Sequence, residues 1–199
     1  MGFYQIAKPI VRVVLFPFYK IEAEYACELP KNEGFILASN HVSDMDPVMF
    51  GLAFPKQIQY MAKEELFRIP VLSPIIRKLG AFPVARGKGD QGAIENAVTV
   101  VKNGGVLGIY PEGTRYTDGK LHRAKSGAVL VASKTGGDIL PACILYGKRH
   151  FLRRHVTIKF GKMIPNEELA VKEQTKTELR AANKRMMCAI AELMGVEAP

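Results

Sequence analysis

Tryptophan is absent from this 199-residue chain, and cysteine occurs only three times, at the widely separated positions Cys27, Cys143 and Cys188. An odd, scattered set of thiols excludes a disulfide framework or a cysteine zinc cluster and fits a reduced, cytosolic compartment. The apolar N-terminal stretch falls far short of the ~20 residues a bilayer-spanning helix needs, and it lacks the small-residue cleavage site of a secretory signal. Neither a spanning anchor nor a signal peptide is expected. Gly2 meets only half of the myristoylation pattern, because position 6 is Ile6 rather than Ser or Thr. There is no low-complexity tract and no G-x-S-x-G elbow to expose a serine nucleophile. Acidic residues are in the minority, 19 against 28 Lys and Arg for a net charge of +9. That balance favours anionic partners, whether membrane phospholipid, nucleic acid or phosphorylated metabolites, over acid-seeking cations; the alternative is that the basic residues merely solvate the surface.

What is present describes one folded domain. Hydrophobic residues make up 48% and charged residues 24%, enough for a substantial core in a chain of this length. Residues 1–20 mix Phe3, Ile6, Ile10, Val13, Val14, Phe16 and Phe18 with Lys8, Arg12 and Lys20, the pattern of an amphipathic segment. It suits either a membrane surface or the domain's own core. Two-residue alternation over 21–29 predicts a strand with one wet face. Further strands are predicted at 35–38, 58–62, 81–85, 106–110, 139–146 and 156–160. Helices are predicted at 47–54, in two pieces over 66–79 because Pro70 and Pro74 interrupt it, at 90–103 and at 126–134. A closing helix starts at a Thr175/Glu178 capping box and stops at Gly195. Strands alternating with helices give an α/β class, a single domain with a mixed, largely parallel sheet flanked by helices, with sites expected on the loops that follow strands.

Two such loops carry chemistry. Asn40-His41-Val42-Ser43-Asp44-Met45-Asp46-Pro47 follows a buried strand and sets His41 and Asp46 five positions apart. On a continuous helix they would diverge by about 140°, so contact requires a bend. With Ser43 as the helix N-cap, Asp46 falls at the third helical position, where its carboxylate turns back to fix the imidazole tautomer and leave the other nitrogen for a substrate hydroxyl. The same residues also read as an ordinary Asp-Pro helix start beside a buried histidine, or as a metal site of His41, Asp44 and Asp46 that lacks a second histidine or cysteine nearby. The second loop, Tyr110-Pro111-Glu112-Gly113-Thr114-Arg115, brings an arginine and a turn glycine past another strand. Arg86, Arg115 and Lys63 all fall at or just past strand ends, where a parallel sheet would converge them on one anion.

Two further stretches support rival readings. Gly87-Lys88-Gly89-Asp90-Gln91-Gly92 is a literal G-x-G-x-x-G after a strand, a dinucleotide-binding pattern. Lys148-Arg149-His150-Phe151-Leu152-Arg153-Arg154-His155 is a basic patch that suits nucleic acid or anionic lipid.

Asn40-His41 with Asp46, Gly80-Ala81-Phe82-Pro83-Val84-Ala85-Arg86, Tyr110-Pro111-Glu112-Gly113-Thr114-Arg115 and Ile139-Leu140-Pro141-Ala142 resemble, in order, the four blocks of the glycerolipid acyltransferase family, over about residues 33–147. Tyr110 stands where the family commonly has phenylalanine. The resemblance implies transfer of a fatty acyl group from acyl-CoA or acyl carrier protein to the sn-2 hydroxyl of a lysophosphatidate at the inner membrane face. By the family pattern His41 is the general base and Asp46 its orienting partner, while Arg86, Glu112, Gly113, Thr114 and Arg115 hold the acceptor. Lys63 resembles a further phosphate contact, and Pro141 shapes a pocket. It also implies residues 1–20 as a membrane-association segment and 21–199 as the acyltransferase domain. An anionic membrane surface is the expected partner; no cofactor, metal or nucleic acid is expected.

Overall fold

The computed structural model describes residues 2–30, 33–84 and 91–199. Its centre is a seven-stranded sheet built from β1 (Tyr19–Tyr25), β2 (Phe35–Ser39), β3 (Ile58–Lys63), β4 (Phe82–Val84), β5 (Val106–Ile109), β6 (Ile139–His150) and β7 (Arg153–Phe160). The strand order is β1-β7-β6-β2-β5-β3-β4, parallel throughout except for the β6–β7 hairpin. Strands covered on both faces should read as continuous apolar runs. β2 (FILAS) and β5 (VLGI) do so, and every residue in them is buried.

The helices are α1 (Phe3–Leu15), α2 (Asp46–Ala53), α3 (Leu72–Lys78), α4 (Gln91–Lys102), α5 (Gly127–Thr135), α6 (Asn166–Leu169) and α7 (Lys176–Met194). A 3₁₀ turn over Glu64–Arg68 precedes α3, so the proline-interrupted stretch does split in two. One face of the sheet is covered by α4, α5 and α7, which contribute Ala97, Val129, Val131, Met186 and Ile190 to its core. On the other face α2 packs Met49 and Phe50 against Leu37, Leu140, Ile158 and Phe160. The closing helix has its expected caps: Thr175 and Glu178 form the box, and Gly195 is left-handed with φ +70.

The structure corrects several sequence-based boundaries. The first strand runs Tyr19–Tyr25 and is largely exposed on both faces, because it is an edge strand paired only to β7. Cys27 and Leu29 lie past its end and still pack on the α2-side core. β6 and β7 are longer than expected, so residues 148–155 form the tip of a hairpin rather than a loop between separate strands. Tertiary pairing across the hairpin overrides the poor strand propensity of its charged residues.

α1 packs in an unusual sense. None of its residues is buried, and Ile6, Ile10, Val13 and Val14 face outward. Its polar stripe does the docking, through bonds to the end of α2. Tyr4 Oη donates to the Gly51 carbonyl at 2.9 Å, Arg12 to that of Leu52 at 2.7 Å, and Lys8 Nζ to that of Phe54. Tyr25 Oη adds a bond to Ala53 at 3.0 Å. The last carbonyls of a helix have no intrahelical partner and carry the negative end of its dipole, so a row of donors, two of them cationic, is well matched to them.

Gly108 in β5 marks the closest approach in the sheet's centre, since a Cβ there would lie 2.2 Å from Tyr60 Cε1 and 2.7 Å from Ile58 Cγ2. Gly108→Ala is expected to lower unfolding stability by about 1–3 kcal/mol, as overpacking does. Denaturant titration checks this, and a variant as stable as the parent would contradict the packing described.

Candidate active site

The site lies where the chain leaves two adjacent parallel strands for opposite faces of the sheet. After β2 the chain enters α2 on one face; after its neighbour β5 it reaches α5 on the other. A crevice opens at the carboxyl ends of strands at such a switch point, and it is where α/β sheets bind ligands. His41 and Tyr110-Pro111-Glu112-Gly113-Thr114-Arg115 stand on its two sides.

Asp46 is fully buried, and its carboxylate is surrounded by donors. Oδ2 accepts from His41 Nδ1 at 2.8 Å, from the Val42 N–H at 2.7 Å and from the Ser43 N–H at 2.9 Å. Oδ1 accepts from Tyr146 Oη at 2.8 Å. A carboxylate so placed makes Nδ1 the protonated ring nitrogen and leaves the lone pair on Nε2. The bend required by the five-residue spacing is present, but its geometry differs from expectation. The helix starts at Asp46 itself, and Met45, without a side-chain cap bond, is the N-cap residue. Ser43 Oγ instead accepts from the Met45 N–H at 3.2 Å. The carboxylate serves the loop before the helix rather than the helix's own first turn, which sets aside the ordinary N-cap reading.

The imidazole is held on a third side by stacking. The His41 and Tyr110 rings lie 3.9 Å apart and 10° from parallel, and Tyr60 stacks beneath Tyr110 at 5.6 Å, also at 10°. Burial and the Asp46 carboxylate push the Tyr146 phenol well above its ordinary pKa, so it stays a donor. Asn40, buried at the end of β2, exchanges two hydrogen bonds with the Ile144 backbone, at 3.0 and 2.9 Å. Those bonds fix the strand that carries His41 against the strand that carries Tyr146.

Glu112 joins the two loops. It is 4% exposed, with Oε2 accepting from the His41 N–H at 3.1 Å and Oε1 from the His122 N–H at 2.8 Å. Burial raises its pKa, while the two backbone donors oppose the shift. Gly113 has φ +72, a left-handed turn that glycine adopts without strain, and the Lys125 side chain passes so close that a Cβ would meet its Nζ at 2.9 Å. Arg115 is half-exposed and pairs with Asp44 across the mouth of the crevice.

A model of the acyltransferase family matches residues 20–145. The chain belongs to the acyltransferase family. It is 30% identical to the 1-acyl-sn-glycerol-3-phosphate acyltransferase of Bacillus subtilis over 165 residues, which cover 79% of this chain and 82% of that one. Identity to the enzyme of the same name from Borreliella burgdorferi is 33%, over 67% of this chain and about half, 54%, of the relative. The crystal structure of the 1-acyl-sn-glycerophosphate acyltransferase of Thermotoga maritima superposes with a TM-score of 0.71 at 26% identity, covering 96% of this chain and 77% of the other.

In this acyltransferase, then, the fold brings His41, Asp46 and Glu112 together and carries the Gly113-Thr114-Arg115 turn beside them, with the Tyr116 N–H donating to the His41 carbonyl at 2.9 Å and Arg115 paired with Asp44. Glu112, with one backbone donor on each oxygen, positions the two loops. Lys63 sits at the end of the next strand but one and is paired with Glu65 at 3.1 Å. Arg86 and the start of the G-x-G-x-x-G stretch lie outside the described residues. Pro141 is buried within β6 and accepts from the Gly161 N–H at 2.8 Å; by strand alternation it shares the α7 face with Ile139, away from α2. Among the described residues no group of three His, Cys, Asp or Glu stands ready to hold a metal, and Asp44 of the proposed metal set is engaged by Arg115. Sequence reading missed Tyr146, whose distance of 100 residues from Asp46 leaves no local signal. It also missed the stacking of Tyr110, a ring that phenylalanine would supply equally.

Tyr146→Phe removes one of the four donors to Asp46 while keeping the ring. Stability is expected to fall by about 1 kcal/mol, and kcat by roughly tenfold as the dyad loosens, with little change in substrate KM. Equal loss in KM would place Tyr146 at the substrate instead.

Proposed function

We propose that this acyltransferase is a 1-acyl-sn-glycerol-3-phosphate acyltransferase, forming phosphatidic acid from lysophosphatidate and an acyl thioester. The observation that carries the reading is the His41–Asp46 pair with Arg115 across the same crevice. His41 Nε2 takes the proton of the sn-2 hydroxyl as its oxygen attacks the thioester carbonyl. The tetrahedral adduct collapses, the carbon–sulfur bond breaks, and the thiolate leaves with the proton that the imidazolium returns. No covalent acyl-enzyme is needed, since a thiolate is a good leaving group. Acyl-CoA and acyl carrier protein both supply such a thioester.

Arg115, with the Gly113 turn and Thr114, receives the acceptor phosphate, which displaces Asp44 from the guanidinium. Arginine's planar fork suits that exchange. Lys63, at the end of β3, and Arg86, by the family pattern alone, are further contacts for the acceptor phosphate. Pro141 contributes through the sheet, ending the β6–β7 ladder beside β2.

Because the acceptor is a lipid, the site must meet a bilayer. Among the described residues no helix is long and apolar enough to cross a membrane. α1 supplies the alternative: its apolar stripe lies in the cytoplasmic membrane surface, while Tyr4, Lys8 and Arg12 hold it to α2. This makes residues 1–20 the membrane-association segment and 21–199 the catalytic unit.

The experiment offers the purified protein labelled acyl-CoA and acyl-loaded carrier protein, each with glycerol-3-phosphate, lysophosphatidate and other lysophospholipids. Label in phosphatidic acid, formed from lysophosphatidate in preference to the others, is the expected result. A preference for glycerol-3-phosphate or a zwitterionic lysophospholipid would reassign the acceptor. His41→Ala is expected to reduce turnover about 10²–10⁴-fold with the fold intact; retained turnover would remove it as base. Arg115→Ala is expected to raise the acceptor KM roughly tenfold with a smaller effect on kcat.

A further inference from the structure

The tip of the β6–β7 hairpin breaks two rules at once. Its two-residue turn, between His150 and Arg153, is Phe151-Leu152, and Phe151 is 89% exposed while Leu152 is 56% exposed. Phe151 also has φ +57 at the first loop position, where two-residue hairpins normally take Gly, Asn or Asp. A bulky residue held left-handed is strained, and strain kept at an exposed apolar tip points to a use for that side chain in solution contacts.

The surroundings identify the partner's chemistry. Lys148, Arg149, Arg153 and Arg154 flank the tip, and the eight residues 148–155 contain no acidic side chain. An apolar point ringed by cations matches an anionic phospholipid surface, with acyl chains for the tip and phosphates for the ring. A duplex would accommodate the cations but give Phe151 and Leu152 no apolar contact across its phosphate face.

The hairpin is also built onto the end of α1. The Arg153 guanidinium lies 4.4 Å over the Phe16 ring and donates to the Tyr19 carbonyl at 3.1 Å, and the Arg154 N–H bonds the Phe18 carbonyl at 2.8 Å. Phe16 and Phe18 are themselves exposed, at 63% and 49%. The apolar stripe of α1 therefore continues through these two rings to the hairpin.

We propose that Phe151 and Leu152 form a second membrane-inserting point, with the flanking Lys and Arg side chains on anionic headgroups, so that the protein is held on the bilayer at two places. The inference rests on the reading of α1 as a membrane-surface helix. Two-point attachment fixes the roll of the protein about the α1 axis as well as its depth, which a single surface helix does not. β6 carries this constraint inward, because Tyr146, on the same strand as the tip, bonds Asp46.

The absence of tryptophan makes the test direct. Phe151→Trp and Val13→Trp each place one fluorophore in the 199-residue chain, at the hairpin and on α1. With phosphatidylglycerol vesicles, both are expected to shift blue and to be quenched by bromine-labelled acyl chains. A shift on α1 without one at position 151 would overturn the hairpin proposal and leave the α1 reading standing. No shift at either position would overturn both. In parallel, the double variant Phe151→Gly, Leu152→Asn suits the turn better, so it should fold with an equal or higher Tm. Its partitioning onto phosphatidylglycerol vesicles is expected to weaken on the order of tenfold. Unchanged partitioning would contradict the proposal.

Discussion

The Asp46 carboxylate is the constraint on which the site depends. A buried carboxylate is tolerated only when its lone pairs are satisfied, and here each donor that satisfies it does a second job. The Val42 and Ser43 amides bend the chain between β2 and α2, the imidazole acquires its tautomer, and Tyr146 ties in β6. Remove the charge and the bend, the imidazole's tautomer and the link to β6 lose their reason together. Glu112 repeats the device one loop away, using two backbone amides to hold His41 and residue 122 in register.

The same economy of polar groups shows in how α1 is docked. α1 places its hydrogen-bonding side chains on the exposed carbonyls at the end of α2, and only its apolar stripe remains for the surroundings. α2 begins at Asp46 and ends at those carbonyls, so one eight-residue helix joins the dyad to the segment proposed to meet the membrane. The position of α1 is thus tied to the His41–Asp46 pair through a short helix.

Much of the fold was legible from sequence because its signals are local. Continuous apolar runs marked β2 and β5, the Thr175/Glu178 box and Gly195 bounded α7, and the prolines split the 64–78 stretch. What failed to show depends on partners distant in the chain. Strand length in the β6–β7 hairpin comes from cross-strand pairing, and the exposure of β1 from its place at the sheet edge. The family blocks pointed to His41, Asp46 and the Arg115 loop, which the fold brings together, yet they could not show that Glu112 bridges two backbone amides or that Asp46 starts its helix. Tyr146 was invisible, since a tyrosine near a strand end announces nothing until the strand is placed beside Asp46.

The most direct measurement is the tautomer of His41, read by nitrogen-15 NMR of histidine-labelled protein at a pH where the ring carries one proton and compared with Asp46→Asn. In the parent, the singly protonated ring should carry its proton on Nδ1 and its lone pair on Nε2, and the substitution should erode that preference. A parent imidazole protonated at Nε2, or one whose tautomer is indifferent to the change at position 46, would contradict the account.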